Sequence, residues 1–284
     1  MKLIIKGAEL QKQIEESHKI PVGFVPTMGA LHEGHLSLVR NATAKCPLVV
    51  VSIYVNPTQF NDKEDFKNYP RTMEQDLDLL KTVLREQDIV FTPGDSEIYP
   101  EDDTRVFNFG NLGNVMEALK RPGHFNGVAM VVSRLFEIVK PDFGFFGLKD
   151  FQQVAVLKEL VRQTGDKIKI ITIPIVREPD GLALSSRNRL LDPDIRKNAP
   201  IIYKTILSAS QSLSVLDIPK IKAEVFKDID RVEGFEVEYF EIVDDRELKP
   251  VNKKNEMKPG KHYFGCIAVR AGNIRLIDNI EFPL

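Results

Sequence analysis

Cysteine is scarce. Only Cys46 and Cys266 occur in 284 residues, far apart and without metal-like spacing, so neither a disulfide framework nor a zinc site is expected. An excess of positive charge is also missing: 39 Lys and Arg against 41 Asp and Glu leave a formal net charge of −2, with nothing spare to hold a nucleic-acid backbone. A local basic pocket for a small anion remains compatible with that balance. Long apolar runs are lacking too. Stretches such as 48–51 fall far short of the roughly 20 residues that span a bilayer. The opening MKLIIKGAELQKQIEES turns charged and helix-like too soon for the apolar core of a secretory signal. These absences argue against nucleic-acid and membrane partners and point to a cytoplasmic protein with reduced thiols.

What is present is an ordinary globular composition, 43% hydrophobic and 28% charged, and a length that suits two domains. From residue 20 to 176, short apolar or β-branched runs alternate with helical patterns. Strands are predicted at 22–26, 48–55, 89–92, 143–146 and 168–176, several of them apolar on both faces as buried parallel strands are. Helices are predicted at 36–44, 72–86, 127–139 and 151–163. For the second, Thr72 and Gln75 have the spacing of a capping box, and Met73, Leu77, Leu80 and Leu84 form one apolar stripe. That order implies an α/β domain, a Rossmann-like parallel sheet covered by helices, over 1–176. The run 177–181, Arg-Glu-Pro-Asp-Gly, breaks the pattern. Beyond it, helix-like segments at 194–214 and 219–230 precede strand-like stretches at 235–243, 262–270 and 274–277. The last two are joined by a plausible hairpin turn at 271–273, so 177–284 reads as a smaller α+β domain.

The segment PTMGALHEGHLSLV, 26–39, follows a strand and opens a helix. Gly29 and Gly34 let a backbone approach a ligand there, and free amides at a helix start favour an anion. His32 and His35, three apart in the first turn, can both face that anion and stabilise charge on phosphate oxygens without acting as bases. The alternative is a capped helix entrance with two solvent histidines.

PTMGALHEGH resembles the signature of the pantothenate synthetase family, part of a wider HxGH nucleotidylyltransferase group built on a Rossmann-like sheet. Four further segments match that family in order: NPTQF at 56–60, RPGHFNGV at 121–128, FFGLKDFQQ at 145–153 and DGLALSSRN at 180–188. The resemblance implies an ATP site lined by Met28, Gly34, His35, Gly147, Lys149, Asp150, Val176, Leu184, Ser185, Ser186 and Arg187. Among these, His35, Lys149, Ser185, Ser186 and Arg187, together with His32, would act on the phosphates. Gln59 and Gln153 would hold pantoate by its hydroxyls and carboxylate, a task suited to amides that both donate and accept. Asn56, Arg121 and His124 fall on the pantoate and β-alanine side, where they either touch substrate or brace the loop. Asp150 alone could be an N-cap, whereas a cation such as Lys149 at a helix start opposes the macrodipole unless an anion sits between them. Asp76, in the helix after YPRT, reads as an exposed helical aspartate, with ordering of Mg²⁺ or the nucleotide side as the alternative. Phe151 departs from the tyrosine common in the family, without removing a group given a chemical role.

The implied reaction joins pantoate to β-alanine through a pantoyl adenylate, with ATP as substrate, Mg²⁺ as cofactor and a homodimer as the assembly. No metal ligand, interface residue or proton acceptor for the β-alanine amine identifies itself in the sequence. Three alternatives stand beside this reading, one of them an aminoacyl-tRNA synthetase, against which no basic or anticodon-binding segment follows residue 190. An HxGH nucleotidylyltransferase would share the ATP chemistry but have no use for the NPTQF and KDFQQ pair. A noncatalytic nucleotide-binding protein would have no need to keep His32, His35, Lys149 and 185–187 intact.

Overall fold

A computed structural model describes residues 1–61 and 63–283. Among them, six strands form one parallel sheet: β1 (Lys2–Ile4), β2 (Val22–Thr27), β3 (Leu48–Ile53), β4 (Ile89–Phe91), β5 (Phe143–Gly147) and β6 (Lys169–Ile173). Their spatial order is β1-β4-β3-β2-β5-β6. The expected Rossmann-like α/β architecture is therefore present. β3 is buried at all six positions, as its sequence, apolar but for Ser52, requires.

Alternation along β2 and β3 divides the core between the two faces of the sheet. Phe24 and Val50 pack with the helices Gly7–Ser17, His124–Val139 and Phe151–Thr164 on one face. Val25, Val49 and Val51 pack with the helix Glu33–Lys45 on the other. β2 is followed by β3 on one side and flanked by β5 on the other. The crevice beyond the carboxyl ends of β2 and β5 is thus the topological switch point of the sheet, where open α/β folds place ligands.

The later part of the chain forms an antiparallel sheet, β7 (Phe235–Asp244), β8 (Tyr263–Ala271) and β9 (Ile274–Glu281), in that order. Two helices, Ile201–Gln211 and Ile218–Asp230, pack with it in a core of their own. Gly272, with φ +58°, and Asn273 make the expected turn between β8 and β9. Val243, Leu248 and Cys266 from this part join the core beneath the parallel sheet, so the two parts touch through apolar surface.

Several local expectations are corrected. β1 has no sequence signature of its own and exists through its register on β4, Lys2 to Ile4 against Ile89 to Phe91. Thr72 makes no capping bond, because its hydroxyl donates to Asp76 Oδ1 at 3.1 Å. The helix it precedes, Met73–Lys81, stops well before 86, where the amides of Thr82 and Val83 tighten onto carbonyls three residues back. The segment 194–214 is split into Pro193–Asn198 and Ile201–Gln211, with Pro200 at the break, since proline brings no donor to continue the first helix. β9 runs past 277 to Glu281, which carries its end as far as the parallel sheet's ligand crevice.

The far edge of the sheet is pinned by Asp88. It is fully buried, accepts from Val49 N at 2.9 Å and holds the Arg85 guanidinium through Nε at 2.8 Å and Nη2 at 2.9 Å. Replacing Asp88 by alanine leaves Val49 N and Arg85 Nε without that acceptor, while Arg85 Nη2 keeps Cys46 O, and should lower unfolding free energy by about 2–3 kcal/mol. Chemical denaturation measures this, and a loss below about 0.5 kcal/mol would show that the cluster contributes little.

Candidate active site

The loop after β2 is held from both sides. Gly29 and Ala30 take positive φ values, +80° and +49°. For alanine that conformation is sterically unfavourable and needs compensation. Asp76 supplies it. Its Oδ2 accepts from Ala30 N at 2.9 Å and its Oδ1 from Leu31 N at 2.7 Å. On the opposite side, Ser186 Oγ donates to Ala30 O at 2.9 Å. Asp76 is thus 1% exposed, not the solvent aspartate expected from sequence. Its position within the apolar stripe, between Met73 and Leu80, is the signal that could have revealed it.

That loop delivers the chain into the helix Glu33–Lys45 with two histidines at its entrance. His32 Nδ1 accepts from Gly34 N at 3.2 Å, and His35 Nδ1 accepts from His32 N at 3.3 Å. The rings cap the helix, as the alternative has it, but neither is a free solvent histidine. Because each Nδ1 is an acceptor, the neutral rings carry their hydrogen on Nε2. The rings lie 4.1 Å apart. A side chain at Gly34 would begin 2.9 Å from the His32 ring, so only glycine lets the ring lie there. Burial, then the nearby Lys149 and Arg189, lower the His32 pKa to about 4. Burial, His32 and Lys149 hold His35 well below its ordinary value. Near neutrality both are uncharged donors.

Across the switch point, β5 ends at Gly147 and a 3-10 turn, Leu148–Asp150, leads into the helix Phe151–Thr164. The Lys149 ammonium makes no ion pair among the described residues, and Asp150 caps nothing with its side chain. In the loop 177–188, Ser185 caps a short 3-10 turn by accepting from Arg187 N at 3.3 Å. Leu184 N bonds Val176 O at 3.0 Å, which keeps these two residues side by side. Arg187 lies against Asp65, its Nη2 donating to the two carboxylate oxygens at 3.1 and 2.9 Å. Asp65 was not singled out in the sequence, and its helix, Lys63–Asn68, was not expected.

The structure brings Met28, His32, Gly34, His35, Gln59, Gly147, Lys149, Asp150, Gln153, Val176, Leu184 and Ser185 to Arg187 around one cleft of about 230 Å³. Arg121 and His124 lie instead in a small pocket of about 40 Å³, which shares Lys149, Asp150 and Gln153 with that cleft. His124 Nδ1 contacts Gln59 O at 2.8 Å and its Nε2 contacts Arg121 Nη1 at 3.0 Å. The ring therefore donates to the carbonyl and accepts from the guanidinium. Burial and Arg121 lower its pKa to about 4. Asn56 is 1% exposed and braces the loop. Its Nδ2 donates to Gln59 Oε1 and Gly127 O, while its Oδ1 accepts from Thr58 and Tyr99. Gly127 is required by the same contact, since a Cβ there would fall 2.3 Å from Thr58 O.

Residues 2–281 match the family model described as pantoate–β-alanine ligase. The chain belongs to that family. A pantothenate synthetase of Azobacteroides pseudotrichonymphae is 48% identical over 285 residues, covering 99% of this chain and all of the relative. The crystal structure of pantothenate synthetase from Thermus thermophilus superposes with a TM-score of 0.90 at 40% identity, each chain covered completely. A pantoate–β-alanine ligase of Francisella tularensis, complexed with β,γ-ATP and β-alanine, superposes at 0.78 with 33% identity, covering 99% of this chain and 97% of the other. For this ligase-family chain, the ring environments set an acid limit. Unfolded imidazoles take up protons near 6.5, whereas folded His32 and His124 wait until about 4, so stability should fall as pH drops between those values. Melting temperatures across that window test the sign. The fall should be shallower in His124→Gln, and equal slopes would remove His124 as a cause.

Proposed function

We propose that this protein condenses pantoate with β-alanine by forming a pantoyl adenylate from ATP, releasing pyrophosphate and then AMP. The observation that carries the reading is the polarity of the cleft in a chain of this family. Two Nε2–H donors and the Lys149 ammonium, which makes no ion pair among the described residues, line it together with the amides of Gln59 and Gln153. Val176 and Leu184 would border the nucleotide, with Met28, Gly34, Gly147 and Asp150 beside it. The pantoate carboxylate, with an ordinary pKa of about 4, is already ionised and attacks the α-phosphorus without a general base. His32, His35, Lys149 and Ser185 would stabilise charge on the phosphates. Arg187 would exchange Asp65 for the triphosphate. Ser186, whose hydrogen goes to Ala30 O in this structure, would serve chiefly by holding the loop. The neutral amine of β-alanine then attacks the acyl carbonyl near Arg121 and His124, and AMP departs.

Among the described residues no group of three His, Cys, Asp or Glu is placed to cage a metal. A Mg²⁺ brought by the nucleotide would be held mostly by phosphate and water, with Asp150, an exposed carboxylate that lines the cleft, available to it. When bound, that ion would neutralise charge on the phosphate oxygens. We further take 1–176 as the catalytic domain and 177–284 as a domain covering it, in a cytoplasmic homodimer. The buried, unbonded Cys46 and Cys266 suit a reducing compartment.

With enzyme, Mg²⁺, ATP and pantoate but no β-alanine, labelled pyrophosphate should exchange into ATP. Exchange that requires β-alanine would contradict the stepwise order, and formation of ADP would contradict the chemistry. Lys149→Ala should slow exchange by about two orders of magnitude while the protein stays folded. Gly127→Ala should displace the turn that carries Gln59, raising the KM for pantoate several-fold more than that for ATP. Equal effects on both constants would show that Gln59 does not grip pantoate.

A further inference from the structure

Two consecutive residues of β9 reach both segments assigned to the triphosphate. Asn279 is 4% exposed, and its Nδ2 donates to Leu148 O at 2.8 Å and to Lys149 O at 3.1 Å. Its neighbour Asp278 is equally buried and accepts from Arg177 Nη1 at 2.6 Å and Nη2 at 2.9 Å. Asp278 Oδ1 also accepts from Asn279 N at 2.8 Å, which ties the two side chains together. Arg177 opens the loop that ends in 185–187. It lies 3.7 Å over the Tyr203 ring, donates to Gly181 O at 3.2 Å and pairs its backbone with Ala183.

The Lys149 side chain is a flexible four-carbon stem carrying about 2 kcal/mol of rotamer entropy, and it makes no ion pair among the described residues. What the protein controls is therefore where the stem begins. That point is set by a 3-10 turn of three residues, Leu148–Asp150, whose first two carbonyls are held by one carboxamide from another sheet. The Asn279 carboxamide bonds backbone carbonyls of the turn and needs no contact with a ligand to affect it.

We infer that Asn279 is a positioning residue for Lys149, and that the Asp278–Asn279 pair of β9 fixes the spacing between the Lys149 turn and the loop carrying Ser185 to Arg187. The inference rests on the reading in which Lys149 acts on ATP. It assigns the antiparallel sheet a part in adenylation beyond covering the cleft. A side chain that sets a reacting group's origin affects the rate of the step more than the binding of a substrate held elsewhere, and displacement by about 1 Å can cost up to a hundredfold.

The test measures kcat and both KM values for pantoate-dependent pyrophosphate exchange in wild type, Asn279→Ala, Lys149→Ala and the double variant. Asn279→Ala should lower kcat by about tenfold to a hundredfold, with the pantoate KM unchanged within about twofold. On the Lys149→Ala background it should cost less than about twofold more, since residues acting through one group are not additive. Independent, multiplying losses would overturn the inference, as would wild-type kcat in a folded Asn279→Ala protein or a loss confined to the pantoate KM. If alanine at 279 prevents folding, judged by circular dichroism, Asn279→Ser is measured by the same criteria. A silent wild type, or a Lys149→Ala protein of normal rate, would instead show that the parent reading fails, and the inference falls with it.

Discussion

A buried carboxylate gripping two backbone amides is the contact on which the rest of the cleft depends. Asp76 holds Ala30 N and Leu31 N at 2.9 and 2.7 Å, and this keeps the loop after β2 in a conformation that alanine avoids elsewhere. The left-handed backbone costs about 1–2 kcal/mol, while hydrogen bonds to a charged group contribute about 1.5–3 kcal/mol each. The contact outweighs the strain. From there the geometry propagates: Leu31 leads to His32, His32 caps the helix through Gly34, and His35 closes back on His32 N. Ser186 docks on the same loop through Ala30 O, so the segment from the far side of the cleft is aligned by the distortion that Asp76 sustains.

The electrostatics of this arrangement favour neutral hydrogen-bond donors over accumulated positive charge. Three histidines in or beside the cleft, His32, His35 and His124, are shifted toward the neutral form, with burial the largest cause in each. Their tautomers are assigned by backbone or guanidinium partners and not by solvent. Arg187 is paired with Asp65, whereas Lys149, at the mouth of the helix Phe151–Thr164, makes no ion pair among the described residues. Preorganised neutral donors act on a phosphate without first shedding a counter-ion, which is where a water-excluded site differs most from solution.

Much of this was legible in the sequence where the chemistry and the local pattern coincide. The HEGH segment announces itself because a strand, a glycine turn and a helix start follow one another within fourteen residues, and Lys149 because a cation at a helix start is an anomaly. The buried strands β2, β3 and β5 could be read from their composition. Asp76 carries one local signal, its place between Met73 and Leu80 in the apolar stripe, but the loop amides it holds could not be read from that. Asn279 and Asp65 carry no local signal at all, since their partners, Leu148 and Arg187, lie more than a hundred residues away in sequence. β1 is in the same position: three residues with no pattern of their own, ordered by a neighbour. What the sequence hides is long-range pairing of polar groups, which has no period to detect.

The reach of Asn279 has a consequence for how the molecule is made. Ribosomes add residues in order, at roughly 5–20 per second, so the carboxamide that secures Leu148 and Lys149 emerges about ten seconds after them. The strands of the parallel sheet, through Ile173, are all translated before the first residue of β7 appears. A nascent chain at that stage can assemble the crevice at β2 and β5 while the turn beside it still lacks its restraint. Translation thereby sets an order in which every strand of the parallel sheet is made before the turn Leu148–Asp150 gains its restraint from β9.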